Sequence, residues 1–169
     1  MLISSELEAG INAQIGREFG ASLQYYNLAA YFDTDDLPQL AAFFYRQAEE
    51  EKMHAVKFLH YIVDARGTVR IPAVDGPVFE IPSAEAAVQM ALDWEVEVTN
   101  QINALMELAE SQSDYIATEF LGWFVTEQLE EVSTMSRLLK IVQRAGDNLL
   151  LVEDFMARES FGIAEQAAE

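Results

Sequence analysis

Apolar residues recur along this chain at alternating intervals of four and three residues, in four long stretches. This spacing puts one apolar stripe along one side of a helix and is typical of helices in a bundle. The pattern predicts α1 over about 5–31, α2 over about 37–65, α3 over about 84–111 and α4 over about 115–144, and a shorter apolar segment predicts α5 over 148–160. In α1 the stripe consists of Leu7, Ile11, Ile15, Glu18, Ser22, Tyr25, Ala29 and Phe32.

The residues between the stretches predict how the helices begin, end and connect. Asp36 is expected to cap α2, with Pro38 in its first turn, and Ser83 is expected to cap α3. Residues 66–83 hold three of the four prolines and lack helical periodicity. Such a segment spans up to ~55–60 Å when extended, enough to return along a whole bundle and leave α2 and α3 parallel. The predicted fold is therefore all-α, one domain over residues 1–169: a four-helix bundle with a long crossover and a short fifth C-terminal helix.

Each of the four stripes is apolar at both ends but carries a carboxylate near its middle. The four carboxylates belong to Glu18, Glu51, Glu95 and Glu131. At a rise of 1.5 Å per residue they lie roughly 20 to 26 Å from the starts of their helices. In a bundle of this length they meet at one level, together with His54, whichever way each helix runs.

This level of the bundle is expected to bind metal. A buried carboxylate normally takes up a proton, and several buried together without a cation are far more costly. Glu51 and His54 are three residues apart and therefore face the same side of α2. Carboxylates with one imidazole suit iron or manganese, with zinc as a competitor. We expect two ions bridged by Glu51. Glu18 and His54 would hold one ion, and Glu95 and Glu131 the other.

Composition limits the partners of the chain. With 29 acidic and 10 basic residues its formal net charge is −19, which disfavours nucleic acid and anionic membranes as partners. No apolar run reaches the ~18–20 residues of a membrane span, and the first residues do not resemble a secretory signal. The chain has no cysteine, so thiolate zinc sites and iron–sulfur clusters are excluded. A cytoplasmic location is the expectation.

Four motifs carry a resemblance to a known family: REFGASLQYY around Glu18, EEEKMH around Glu51, WEVEVTNQIN around Glu95 and WFVTEQLEEV around Glu131. With the stretch AAYFDTDDLPQLAAFFYRQAEEEKMHA, they resemble the non-haem bacterial ferritins, particularly the actinobacterial type, over essentially the full length. The resemblance implies a ferritin-like bundle and a ferroxidase subunit. It further implies a 24-subunit homo-oligomeric cage that stores ferric mineral, with Fe2+ and O2 or H2O2 as substrates.

The resemblance also implies roles for residues beside the two iron sites. Gln128 belongs to the catalytic centre. Tyr25 lies seven residues after Glu18 in the stripe of α1; it either hydrogen-bonds a ligand carboxylate, donates an electron or only packs in the core. Glutamates that flank the stripes are expected to bind a third iron that shares Glu131; they are Glu50, Glu127 and Glu130.

Haem is not expected. Bacterioferritins place the haem-binding Met directly after the bridging glutamate, where this chain has Lys52, and they carry a second Glu-x-x-His in α4, where this chain has Gln128 and Glu131. Two other functions stay open at this stage. One is a di-metal oxidase or oxygenase without a storage role, and the other is a helical interaction module without metal.

Overall fold

The computed structural model describes residues 2–162 and contains the five expected helices. They are α1 Ser5–Thr34, α2 Pro38–Asp64, α3 Ala84–Ser111, α4 Tyr115–Ala145 and α5 Leu150–Glu159. The first helix continues one turn beyond the predicted end. None of the helices in this part of the chain combines the length and the apolar composition that a membrane crossing requires.

Two clusters of buried apolar side chains fill the two ends of the bundle. One cluster joins Phe32 near the end of α1 to Leu40 and Val88, near the starts of α2 and α3. The other joins Leu7 near the start of α1 to Phe58 and Ala109, near the ends of α2 and α3. Because α2 and α3 start at the same end, they run parallel. The predicted crossover is therefore confirmed.

The polar positions that separate the two clusters are buried as well. All stripe positions predicted for α1 are buried in the structure. The positions predicted for α2 and α4 are buried too; they are Leu37, Leu40, Phe44, Gln47, Glu51, His54, Phe58 and Tyr61, and Ala117, Leu121, Phe124, Gln128, Glu131, Met135, Leu138 and Val142. The stripe of α3 is less completely covered, because Leu92, Thr99 and Met106 are only half-buried. The middle of the bundle is thus a closed layer of polar side chains between two apolar layers.

Three helices begin at a side-chain cap, and the cap at Ser83 confirms the prediction for α3. The hydroxyl oxygens of Ser4 and Ser83 accept hydrogen bonds from backbone N–H groups in the first turns of α1 and α3, both at 3.1 Å. The carboxylate of Asp114 does the same for α4, at 3.0 Å. Each cap satisfies one of the N–H groups that a helix start leaves free.

The prediction that Asp36 caps α2 is wrong. Asp36 adopts a left-handed conformation with φ 57° and belongs to the turn, while Leu37 occupies the cap position without a side-chain bond. The cap comes from α5 instead. The Glu153 carboxylate accepts hydrogen bonds from the backbone N–H groups of Gln39 and Leu40, at 2.7 and 2.9 Å.

Amide side chains of α1 fix the crossover to the bundle. Asn12 donates to the carbonyl of Thr68 at 2.9 Å and accepts from the backbone N–H of Arg70. Farther along α1, the Gln24 side chain accepts from the N–H of Val78 at 2.7 Å and donates to its carbonyl at 3.3 Å. These contacts satisfy backbone groups that no helix or sheet pairs.

Candidate metal centre

Glu18, Glu51 and His54 converge in the polar layer. One potential ligand atom from each lies within 4.8 Å of the other two, and at most 3% of each residue is exposed. The Nδ1 atom of His54 lies 3.4 Å from Oε2 of Glu51. The i, i+3 spacing in α2 and the inward stripe of α1 therefore produce the arrangement that the sequence predicted for one ion.

Two oxygens in this group lack any hydrogen-bond partner from the protein. They are Oε2 of Glu18 and Oε1 of Glu51, and both are buried. A buried unpaired carboxylate oxygen is costly, and a metal ion is a partner that removes this cost. The donor set fits a divalent cation: carboxylate oxygens and one imidazole nitrogen, without sulfur.

Glu95 approaches from α3 with hydrogen bonds to both oxygens. The Tyr25 hydroxyl donates to Oε1 of Glu95, and the Gln128 side-chain amide donates to Oε2 at 3.1 Å. The same amide lies 3.2 Å from the Glu95 backbone carbonyl. Tyr25 and Gln128 thus hold this carboxylate in one orientation. Each oxygen retains a second lone pair for a metal ion.

Glu131 approaches from α4 and forms a second possible group with Glu127 and His54. One potential ligand atom from each of the three lies within 4.8 Å of the others. The Nε2 atom of His54 lies 3.9 Å from Oε1 of Glu127. Sequence reasoning assigned Glu127 only to a third site; in the structure its side chain reaches the ring of His54.

Burial and mutual repulsion disfavour the charged forms of the carboxyl groups in this layer. Burial raises the pKa of Glu51 well above its usual value, and the charges of Glu95, Glu18 and Glu131 raise it further. Burial followed by the Glu95 carboxylate raises the pKa of Glu131 to about 10. Burial raises the pKa of Glu95 to about 7, although the bonds from Tyr25 and Gln128 oppose that shift. A cation would reverse these shifts.

His54 is neutral at pH 7. Burial, followed by the charge of Lys57, lowers the pKa of its imidazole to about 4. Phe124 and Trp123 contact the ring edge-on, with centroids 5.8 and 5.6 Å from it. A neutral imidazole in a fixed orientation is the form that binds metal.

Two of the three glutamates expected at a third site, Glu50 and Glu130, lie at a cavity between α2 and α4, whereas Glu127 is not among the residues that line it. Glu50, Glu130 and Glu131 border this cavity of about 820 Å³, which opens to solvent. Glu50 is half-buried and accepts a hydrogen bond from the Gln47 amide at 2.6 Å, whereas Glu130 is exposed. The structure therefore puts Glu50, Glu130 and Glu131 beside one cavity that is open to solvent.

Sequence reasoning missed one residue of the centre. Gln14 is fully buried, and its side-chain amide donates to Oε1 of Glu18 at 2.7 Å. Its position four residues before Glu18 indicates a neighbour on the same helix face. That spacing was the available sign that Gln14 contacts a ligand.

Comparisons with known proteins give relatives over most of the chain. A family profile described as Ferritin-like domain matches residues 8–145. The chain is 43% identical to "Ferritin BfrB" of Mycolicibacterium smegmatis over 93% of this chain and 87% of that one. It is 34% identical to a "Bacterial non-heme ferritin" of Staphylococcus epidermidis, over 95% and 98%.

A solved structure has the same fold. An open-pore ferritin from the archaeon Archaeoglobus fulgidus superposes with a TM-score of 0.88 at 30% identity, covering 93% of this chain and 96% of that one. Its backbone therefore agrees with the bundle, the crossover and the fifth helix described above.

Proposed function

The chain belongs to the ferritin family of iron-storage proteins, and we propose that it is a ferroxidase subunit that oxidises Fe(II) between its four long helices and stores the product inside a cage. The observation that carries this proposal is the convergence of Glu18, Glu51 and His54 with two unpaired buried oxygens. A bound cation would be a partner for both oxygens and would remove the cost of leaving them unpaired.

Two Fe(II) ions are the proposed substrate of each subunit. Glu51 would bridge them, since the charges of Glu95, Glu18 and Glu131 all act on its carboxyl group and raise its pKa. Glu18 and His54 would complete the first ion's protein ligands. Glu95 and Glu131 would complete the second's, with Tyr25 and Gln128 holding Glu95 in place.

The oxidation itself needs an electron acceptor and water. Each Fe(II) loses one electron, and the two electrons with two protons reduce O2 to H2O2, or H2O2 to two molecules of water. Fe(III) makes its bound water acidic, so this water loses protons readily and the ion hydrolyses. The centre therefore needs no separate general base. The protein's contribution is to hold two cations close together, and its carboxylates offset their charge before and after oxidation.

A third iron is proposed beside the second one. Glu50, Glu127 and Glu130 would bind it and share Glu131 with the di-iron pair. Support comes from the cavity that Glu50, Glu130 and Glu131 border and from the raised pKa of half-buried Glu50, which burial and the charges of Glu127 and Glu130 cause. A cation there would relieve the same repulsion.

A 24-subunit cage is the proposed assembly. Large apolar side chains stay exposed on the single chain, including Tyr115, Phe79, Leu129 and Leu150, each at least 70% exposed. Such side chains on a folded surface favour burial against other copies. The homologous archaeal structure is described as an open-pore ferritin, and that likeness is the second support.

The remaining features of the proposal concern location, extent and haem. We place the protein in the cytoplasm. We treat residues 1–169 as one domain, because each of the two core clusters contains residues of all four long helices. Haem is not part of the proposal, since Lys52 stands where a haem-binding Met would be needed. Purified protein should accordingly lack a Soret band after haem addition.

Two measurements on the same preparation test the function. Light scattering should give a particle of about 24 chains, and Fe(II) added in air should be oxidised quickly, with oxygen consumed and iron retained in the particle. A monomer or dimer that oxidises Fe(II) would favour a di-metal oxidase without storage. A small particle without oxidation would favour a helical interaction module.

A further inference from the structure

Glu18 presents two unlike oxygens to its surroundings. Its Oε1 accepts a hydrogen bond of 2.7 Å from the Gln14 side-chain amide, whereas its Oε2 is buried without any partner. Only 1% of Glu18 and none of Gln14 is exposed, so water does not exchange freely with this bond. The two oxygens of one ligand are therefore distinguished before any metal arrives.

The orientation of the Gln14 amide follows from its second contact. Arg17 donates from Nη1 to the side-chain oxygen of Gln14 at 3.1 Å. A guanidinium group only donates hydrogen bonds, so the amide oxygen must face Arg17 and the amide nitrogen must face Glu18. The three side chains form a hydrogen-bonded chain in which exposed Arg17 donates to Gln14 and Gln14 donates to the buried carboxylate of Glu18.

We propose that Gln14 and Arg17 are positioning residues that hold Glu18 as a ligand through Oε2 alone. Neither residue touches the metal ions. Gln14 keeps Oε1 turned away from the centre and supplies it with a donor, and Arg17 prevents the Gln14 amide from flipping. This inference rests on the proposed function, because it assigns a role relative to the iron held by Glu18, Glu51 and His54.

The physical consequence concerns affinity and geometry at the first iron. Without Gln14 the carboxylate would be free to rotate and chelate with both oxygens, or to accept its hydrogen bonds elsewhere. Partners that orient a ligand typically change metal affinity by about 10–100-fold when removed. The coordination number of the first ion should change together with its affinity.

The chain offers a matched control on the same helix. Gln24 is also buried, and its amide bonds the crossover at Val78 rather than a ligand. Gln14→Leu and Gln24→Leu therefore remove the same group from the same helix at similar burial. Arg17→Ala is a third variant, at an exposed position.

The test uses Co(II), whose absorption spectrum reports coordination geometry, titrated into each assembled apo-protein. The Gln14→Leu protein should bind the first ion about tenfold or more weakly than wild type, with a different Co(II) spectrum. The Arg17→Ala protein should show a smaller change of the same kind. The Gln24→Leu protein should match wild type in both affinity and spectrum. Equal affinity and spectrum in wild type and Arg17→Ala, or an equal loss in Gln24→Leu, would overturn the proposal.

A crystal structure of each Co(II)-loaded protein separates this inference from the function itself. Wild type should show Glu18 bound through one oxygen, and Gln14→Leu should show two oxygens bound or the carboxylate rotated. Glu18 bound through both oxygens in wild type would overturn the inference and leave the function intact. Failure of wild type to bind Co(II) at Glu18, Glu51 and His54 would instead refute the proposed function.

Discussion

The carboxylate of Glu153 in α5 caps the first turn of α2 by accepting a hydrogen bond from the backbone N–H of Leu40, at 2.9 Å. The bond joins residues 113 positions apart and is largely shielded from solvent. The bond adds a polar contact to the apolar contacts by which Val152 and Met156 hold α5 against the bundle.

Removing this cap should destabilise the subunit without disturbing the metal centre. Glu153→Ala leaves two backbone N–H groups without their partner, so we expect a loss of about 1–2 kcal/mol in the free energy of unfolding. Thermal unfolding of the apo-protein measures it. Asp154→Ala is the control, since Asp154 is exposed and its carboxylate pairs with Arg158 of the same helix; an equal loss in both variants would show that Glu153 does not act as a cap.

This cap also shows where sequence reasoning fails. The periodicity of α2 located the helix start, but a local rule assigned the cap to Asp36, the nearest acidic residue. The turn places Asp36 at φ 57°, and the acceptor comes from a residue that only the tertiary fold brings close. Periodic patterns report which face of a helix is buried; they carry no information on partners distant in the chain.

The candidate centre was more predictable than the caps. Glu18, Glu51, His54 and Glu131 were predicted to meet because an ionisable residue in an apolar stripe must occupy the bundle interior. Gln14 was missed because an uncharged polar residue beside a stripe is common on any helix. The reach of Glu127 to His54 depends on side-chain conformation, which spacing does not determine.

Glu51→Ala should abolish rapid Fe(II) oxidation. Its carboxylate is the one proposed to contact both ions, so its removal should slow oxidation by at least about 100-fold while the assembly persists, since one of the mutually repelling carboxylates is gone. Stopped-flow absorbance measures the rate. Glu49→Ala is the control, because Glu49 is an exposed glutamate on the same helix that bonds Lys52. Oxidation at the wild-type rate in Glu51→Ala would contradict the bridging role.

Glu130→Ala tests the third iron. None of the proposed di-iron ligands is changed, so two ions should still bind per subunit. The iron oxidised per oxygen consumed and the rate of later turnovers should change, because an extra electron or a transfer step would be lost. An oxygen electrode with stepwise Fe(II) additions measures both, with exposed Glu119→Ala as the control. Identical ratios and turnover in the two variants would remove the third site.

The apo-protein should lose stability as pH rises above neutrality. Glu95 and Glu131 retain protons up to about pH 7 and about pH 10 in the folded state, whereas unfolded glutamates lose theirs near 4.5. Their stabilising contribution is therefore complete below about pH 4.5 and declines as pH rises through the folded values. The His54 imidazole has a lowered pKa in the folded state, so its contribution to the free energy of unfolding increases with pH, but only between about pH 4 and pH 6.5.

Urea unfolding of metal-free protein at several pH values measures this effect. Between about pH 6.5 and pH 8 the free energy of unfolding should fall by about 1.4 kcal/mol per pH unit for each extra proton held by the folded state. Glu131→Gln should reduce the slope, and a bound divalent ion should remove it. A stability that rises with pH across this window would contradict the buried carboxyl cluster.

The central claim is that two iron ions lie between the four long helices and share Glu51. An anomalous-scattering map of iron-soaked crystals counts and locates them directly. It should show two strong peaks in each subunit, one contacting Glu18, Glu51 and His54 and the other contacting Glu51, Glu95 and Glu131. A single peak, or iron bound only at surface carboxylates with the buried layer empty, would contradict the account.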